Sequence, residues 1–87
     1  MQDYPGLKDA IAVTLRKLRE AENLSKRQMA EKALLERVYL IQLERGQKRP
    51  SVNALFYLSS ALGIKASEMI QKIEEEMEKN GREIDGL

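Results

Sequence analysis

Few side chains in this sequence could carry out covalent or acid–base chemistry. Histidine and cysteine are both absent from the 87 residues, which removes the commonest general base, the commonest metal ligand and the thiol nucleophile. Serine, lysine and carboxylates remain, but no nucleophile stands at a suggestive spacing from a base. The expectation is a protein that is not an enzyme and needs no metal, cofactor or small-molecule ligand. What is left is the chemistry of charge. The net charge is only +1, yet residues 1–50 hold 11 Lys/Arg against 7 Asp/Glu, and residues 51–87 hold 4 against 7. A basic first part and an acidic tail suit a polyanionic partner at one end. The basic residues Arg45, Lys48 and Arg49 crowd into one short stretch that closes at Pro50.

These residues have to be positioned by helices. Pro5-Gly6 opens the first, and Leu7, Ile11, Leu15 and Leu18 recur on one helical face up to a stop near Glu22 and Asn23. Ser25 reads as an N-cap with Gln28 completing a capping box. The short helix it opens covers about Lys26 to Ala33, with Met29, Ala30 and Ala33 as its apolar edge. Ala30 is small enough to let a second helix cross closely. A turn at Leu34-Leu35 leads to a helix from about Glu36 to Arg45. At 100° per residue Leu40 and Leu43 point one way with Glu44 beside them, while Val38, Gln42 and Arg45 point the other way, flanked by Ile41. Gly46 is a C-cap. Ser51 caps a fourth helix whose core stripe reads as Val52, Leu55, Leu58 and Leu62, with Phe56 and Tyr57 also assigned to the core, and Gly63 stops it. The last helix carries Ala66, Met69, Ile70, Ile73 and Met77 on one side and Glu74, Glu75, Glu76 and Glu78 on the other, ending at Asn80-Gly81. Residues 81–87 read as a frayed tail. No period-two pattern persists, so the fold class is all-α, with five helices.

The composition, 43% hydrophobic and 33% charged, is that of one small globular domain rather than a disordered chain. No apolar run approaches the roughly 20 residues of a membrane span. The start, MQDYPG, lacks the basic and apolar regions of a signal peptide. The expected location is the cytoplasm.

Two short helices joined by a tight turn form a unit whose second helix fits a major groove. At this level the stretch from Leu15 to Ile64 resembles the repressor/Cro-type (XRE-like) helix-turn-helix family. The resemblance is carried by Arg19, the Ser25 cap, Met29-Ala30, Glu44-Arg45-Gly46 followed by Pro50, and the closing LSSALGI. It implies a five-helix bundle of the lambda-repressor-like type, with the helix-turn-helix DNA-binding domain over residues 1–66 and the fifth, C-terminal helix over 67–80. It also implies a sequence-specific transcriptional regulator, expected to be a repressor, that docks helix 36–45 on double-stranded DNA. Family positions that meet DNA map onto Arg37, Val38, Gln42 and Gln28 for bases, and onto Lys26, Tyr39, Arg45, Lys48 and Arg49 for phosphates. The residue types suit these roles. Arginine can bond guanine, glutamine can bond adenine, and valine can touch a thymine methyl. Lysine and arginine hold phosphates without reading sequence. The resemblance pairs Arg19 with Glu44, and Glu44 lies toward the core side of its helix, where it needs a partner.

Three positions depart from the family pattern. Leu34 stands where glycine is usual, so either the backbone keeps a positive φ at a cost or the turn is reshaped. Glu36 stands in place of a Ser or Thr cap, and Lys26 in place of glutamine. Leu34, Val38 and Ile41 form an apolar outward stripe, and a competing expectation is a protein-interaction module, antitoxin-like or adaptor-like, that uses it. Ile73 and Met77 are placed beyond the bundle's reach, as a homodimer seam matching palindromic half-sites. No ligand-binding domain is expected after the bundle.

Overall fold

The computed structural model describes the backbone of residues 1–85 and the side chains of residues 1–80. Its five helices are α1 (Leu7–Ala21), α2 (Lys26–Lys32), α3 (Arg37–Glu44), α4 (Val52–Ala61) and α5 (Ala66–Asp85). Each begins and ends within a residue or two of the boundary that sequence predicts, except α5, which continues past Asn80-Gly81 to Asp85. Of the tail 81–87, residues 86 and 87 lie outside the described residues. Among the described residues no helix is long and apolar enough to cross a membrane.

The helix starts follow from local hydrogen bonding. The Ser25 hydroxyl accepts from the Gln28 amide at 3.0 Å while Gln28 Oε1 accepts from the Ser25 amide at 2.8 Å, which is the expected capping box. The Ser51 hydroxyl accepts from the Ala54 amide at 3.0 Å. Packing then holds these short elements, because seven- and eight-residue helices do not persist alone in water. Each helix contributes at least one fully buried side chain to a single core: Leu15 from α1, Met29 from α2, Leu40 and Leu43 from α3, Leu58 from α4 and Met69 from α5. Helix α1 lies against α3 and α5, while α2 lies against α3 and α4.

Helices α1 to α4 end in the same closure. The amide of the residue in the left-handed region bonds back within the last turn, and the next amide reaches one residue further. The pairs are Asn23 to Glu20 with Leu24 to Arg19, Leu34 to Glu31 with Leu35 to Ala30, Gly46 to Leu43 with Gln47 to Gln42, and Gly63 to Ser60 with Ile64 to Ser59. The left-handed residues have φ of 56° at Asn23, 56° at Leu34 and 71° at both Gly46 and Gly63. Gly46 has a second reason to lack a side chain, since a Cβ there would lie 3.0 Å from Asp9 Oδ1 at the start of α1. Leu34 therefore keeps the glycine-like backbone, which costs a leucine about 1–2 kcal/mol.

Five assignments are corrected. Val52 is 71% exposed and Phe56 62% exposed, and Tyr57 is exposed as well. Helix α4 is apolar nearly all round, so periodicity cannot single out its inner face, which is Ala54, Leu58 and Ser59 with Leu62 just beyond. Ile70 is exposed rather than core. Ile73 is 3% exposed within the monomer's own core, with Met77 packed against it, so Ile73 is not available as a dimer seam. The bundle reaches further than periodicity suggests, because the 15-residue α1 runs alongside α5 and gives its second and third turns a surface to cover. An ion pair between Lys17 and Glu76 ties the two helices, and its hydrogen bond holds the Glu76 carboxyl below the usual carboxylate range.

Ile73→Ala is expected to lower the unfolding free energy by about 2–4 kcal/mol. Urea titration at two protein concentrations checks this. A loss seen only as a concentration-dependent midpoint would return Ile73 to an interface between copies.

Candidate nucleic-acid interface

The orientation of α3 is set by what its inner face buries. Leu40 and Leu43 are fully enclosed, and the Glu44 side chain beside them is only 3% exposed. A buried carboxylate is tolerated only when it is paired and hydrogen-bonded. Arg19, in the last turn of α1, meets that demand as a fork: Nε donates to Glu44 Oε2 at 2.8 Å and Nη2 to Oε1 at 3.0 Å. Its third arm, Nη1, donates to the Leu24 carbonyl at 2.9 Å, tying in the loop that leads to α2. The Glu44 hydrogen bond raises the Arg19 pKa further above its ordinary value. The pair expected from the sequence is present with full bidentate geometry.

With that face fixed, the opposite side of α3 looks outward. Arg37 and Arg45 are exposed, Val38 is 63% exposed, and Gln42, Tyr39 and Ile41 are half-buried. Tyr39 packs against the core edge. Gln28 is exposed, but its Oε1 is engaged in the cap, which leaves Nε2 as its free group. Lys26 is half-buried, and Lys48 is exposed. Arg49 is exposed but bonds Asp3 Oδ1 at 3.1 Å. Asp3 also bonds Lys8, and chiefly that bond, then Arg49, holds its carboxyl below the ordinary range.

A surface concavity of about 540 Å³ brings Val38, Tyr39, Gln42 and Lys48 together with Leu34, Leu35 and Glu36. Arg37, Arg45 and the α2 residues Lys26 and Gln28 lie outside its wall, and Arg49 lines a separate groove between α1, α4 and α5. Leu34, Leu35 and Glu36 are the wall residues outside the expected DNA contacts, with Leu34 assigned only to the apolar stripe. The signal at Leu34 and Glu36 was the departure from the usual glycine and hydroxyl cap. Glu36 caps α3 without a side-chain hydrogen bond, so its carboxylate is not used up by the cap. Of the apolar stripe, Leu34 is 76% exposed and Val38 is open, but Ile41 is half-buried.

The helix order, the buried fork and the outward basic face together define a helix-turn-helix unit. A family model described as helix-turn-helix matches residues 15–69, and the chain belongs to that family, in its repressor/Cro-type branch. The immunity repressor protein of Bacillus phage phi105 is 36% identical over 73 residues, covering 79% of this chain and 51% of that protein, so the chain spans about half the length of that relative. Among solved structures, the clp gene regulator ClgR from Corynebacterium glutamicum superposes with a TM-score of 0.85 at 28% identity, covering 95% of this chain and 88% of that one. The restriction-modification controller protein C.AhdI from Aeromonas hydrophila gives 0.70 at 35% identity, covering 76% and 98%. The fold and family are those of DNA-binding transcriptional regulators.

Arg19→Ala should destabilise the fold by about 3–5 kcal/mol, since it leaves the Glu44 carboxylate buried and unpaired. Adding Glu44→Leu to Arg19→Ala should recover most of that loss. Thermal unfolding of the three variants checks the coupling. A double variant as unstable as Arg19→Ala alone would show that the missing partner is not the cause.

Proposed function

We propose that this chain is a sequence-specific, double-stranded DNA-binding repressor of transcription that acts in the cytoplasm as a homodimer and reads the major groove with α3. The observation that carries this reading is the division of α3. Its inner face is locked by Leu40, Leu43 and the Glu44–Arg19 fork, and its outer face offers Arg37, Val38 and Gln42. Arg37 suits guanine O6 and N7, Gln42 suits adenine, and Val38 suits a thymine methyl. Gln28 has only its amide donor to offer, which suits a base acceptor. Lys26, Tyr39, Arg45, Lys48 and Arg49 supply phosphate contacts, with Arg49 exchanging Asp3 for a phosphate oxygen. The basic excess of residues 1–50 supports the same orientation. Repression is the role named for the phage relative, and gene regulation for ClgR. A protein-interaction module is the second reading, favoured by the exposure of Leu34 and Val38.

The homodimer is supported by apolar surface that the monomer leaves open. Val52 and Phe56 of α4 follow directly on Ser51 and Leu55, which line the α1/α4/α5 groove together with the exposed Ile70. A symmetric contact there would centre on α4 and Ile70, with Ile73 and Met77 only lining the groove beside it, and would present two α3 helices to half-sites about one DNA turn apart.

Selection from a random duplex pool, followed by titration at several salt concentrations, should recover a motif whose affinity falls steeply with salt. Arg37→Ala should relax one base position, and Lys48→Ala should weaken all sequences alike. No binding at low salt would remove the DNA reading. Phe56→Lys should sediment as a folded monomer where the parent is a dimer, and an undisturbed dimer would exclude the α4 face.

A further inference from the structure

The strained turn carries an apolar side chain that the fold does not use. At the equivalent left-handed position, the ends of α1, α3 and α4 have Asn23, Gly46 and Gly63, which adopt it readily. The end of α2 has Leu34, at φ 56° and 76% exposed. Burial does not compensate for the strain, and glycine would make the same two backbone hydrogen bonds. Strain held at an exposed position points to function rather than packing. Leu34 shares one concavity with Val38, itself 63% exposed, and with the Gln42 amide, the Tyr39 side chain and the Lys48 ammonium. Two aliphatic side chains thus stand beside a hydrogen-bonding amide, a cation and the free carboxylate of Glu36.

We propose that Leu34 is a second specificity-determining residue beside Val38, and that the two together close on the 5-methyl groups of thymine. This rests on the DNA-binding reading above. Thymine is the natural base that shows a methyl group in the major groove, next to a carbonyl acceptor. Gln42 can donate to that acceptor, and Lys48 can neutralise a neighbouring phosphate. A purely apolar protein surface would satisfy the leucine and valine but leave Lys48 and Glu36 unpaired, whereas duplex DNA offers a phosphate to the one and a cytosine amine to the other.

The experiment uses the duplex motif recovered by the full chain from a random pool. Each thymine is replaced in turn by uracil, which removes the methyl and leaves every hydrogen-bonding group. At one or more positions the parent should lose affinity about fourfold, the worth of one buried methylene-sized group. Leu34→Gly should unfold at a higher temperature than the parent, bind the thymine motif more weakly, and be insensitive to uracil at a position where the parent is sensitive. Leu34 acting only as a turn residue would give the same gain in stability but a variant that binds as well as the parent or better. Uracil without effect at every position would overturn the proposal, as would Leu34→Gly with full affinity, while leaving DNA binding intact. Failure to recover any duplex at low salt would remove the DNA reading and this inference with it. Val38→Ala provides the second check, since it should lose its own uracil sensitivity without a gain in stability.

Discussion

The orientation of α3 depends on one buried carboxylate. Glu44 cannot face the core unpaired, and Arg19 reaches it from the last turn of α1 with two parallel donors. A single ammonium could neutralise the charge but could not fix the plane of the carboxylate as the fork does. Because the third donor holds the Leu24 carbonyl, the same guanidinium relates the exit of α1, the entry to α2 and the end of α3. Rotating α3 by one residue would break both Glu44 bonds and move Leu40 and Leu43 out of the core together. An ion pair of this kind adds little net stability over an apolar pair of equal volume. Its contribution here is directional, because it separates the three inward residues from Arg37, Val38 and Gln42.

The rest of the bundle serves that arrangement with few specific contacts. Ala10, Ala30, Ala33 and Ala54 are all nearly fully buried, and such small residues let helices approach closely at their crossings. Gly46 lets the end of α3 come up against Asp9. Helix α5 braces α1 through Met69, Ile73 and the Lys17–Glu76 pair. The Thr14 hydroxyl on α1 is the one buried polar side-chain atom without a partner among the described residues. A buried hydroxyl left without a partner costs about 1–3 kcal/mol, which the surrounding core offsets.

Much of this was legible because local signals agreed with one another. Ser25 with Gln28, Ser51, Gly46 and Gly63 mark helix ends by their own hydrogen-bonding or backbone properties, and each stands where such a residue is required. Arg19 and Glu44 were legible together, from Glu44 lying toward the apolar side of its helix and from the resemblance. The inner face of α4 was not, because Val52, Leu55, Phe56 and Leu58 are all apolar and only tertiary contacts choose among them. The reach of α5 was not legible either. Periodicity shows that Ile73 lies on one side of a helix, but not how long a neighbour that side will meet. At Leu34 the sequence left two backbones open. The decision came from the neighbouring amides, since Leu34 and Leu35 close α2 only if residue 34 is left-handed.

The outward residues are free to differ because the inward ones are not. Helices of seven and eight residues are held by packing rather than by propensity. Their exposed positions can therefore change without disturbing the bundle, provided Leu40, Leu43 and the fork remain. This accounts for a superposition with ClgR at a TM-score of 0.85 alongside only 28% identity. The likeness transmits the bundle and leaves Arg37, Val38, Gln42 and Leu34 to be read from this chain alone. It also follows that a bulky residue in the left-handed position at 34 can persist under selection. Its strain is confined to one exposed turn, and the buried contacts that fix α3 stay intact whatever side chain stands there.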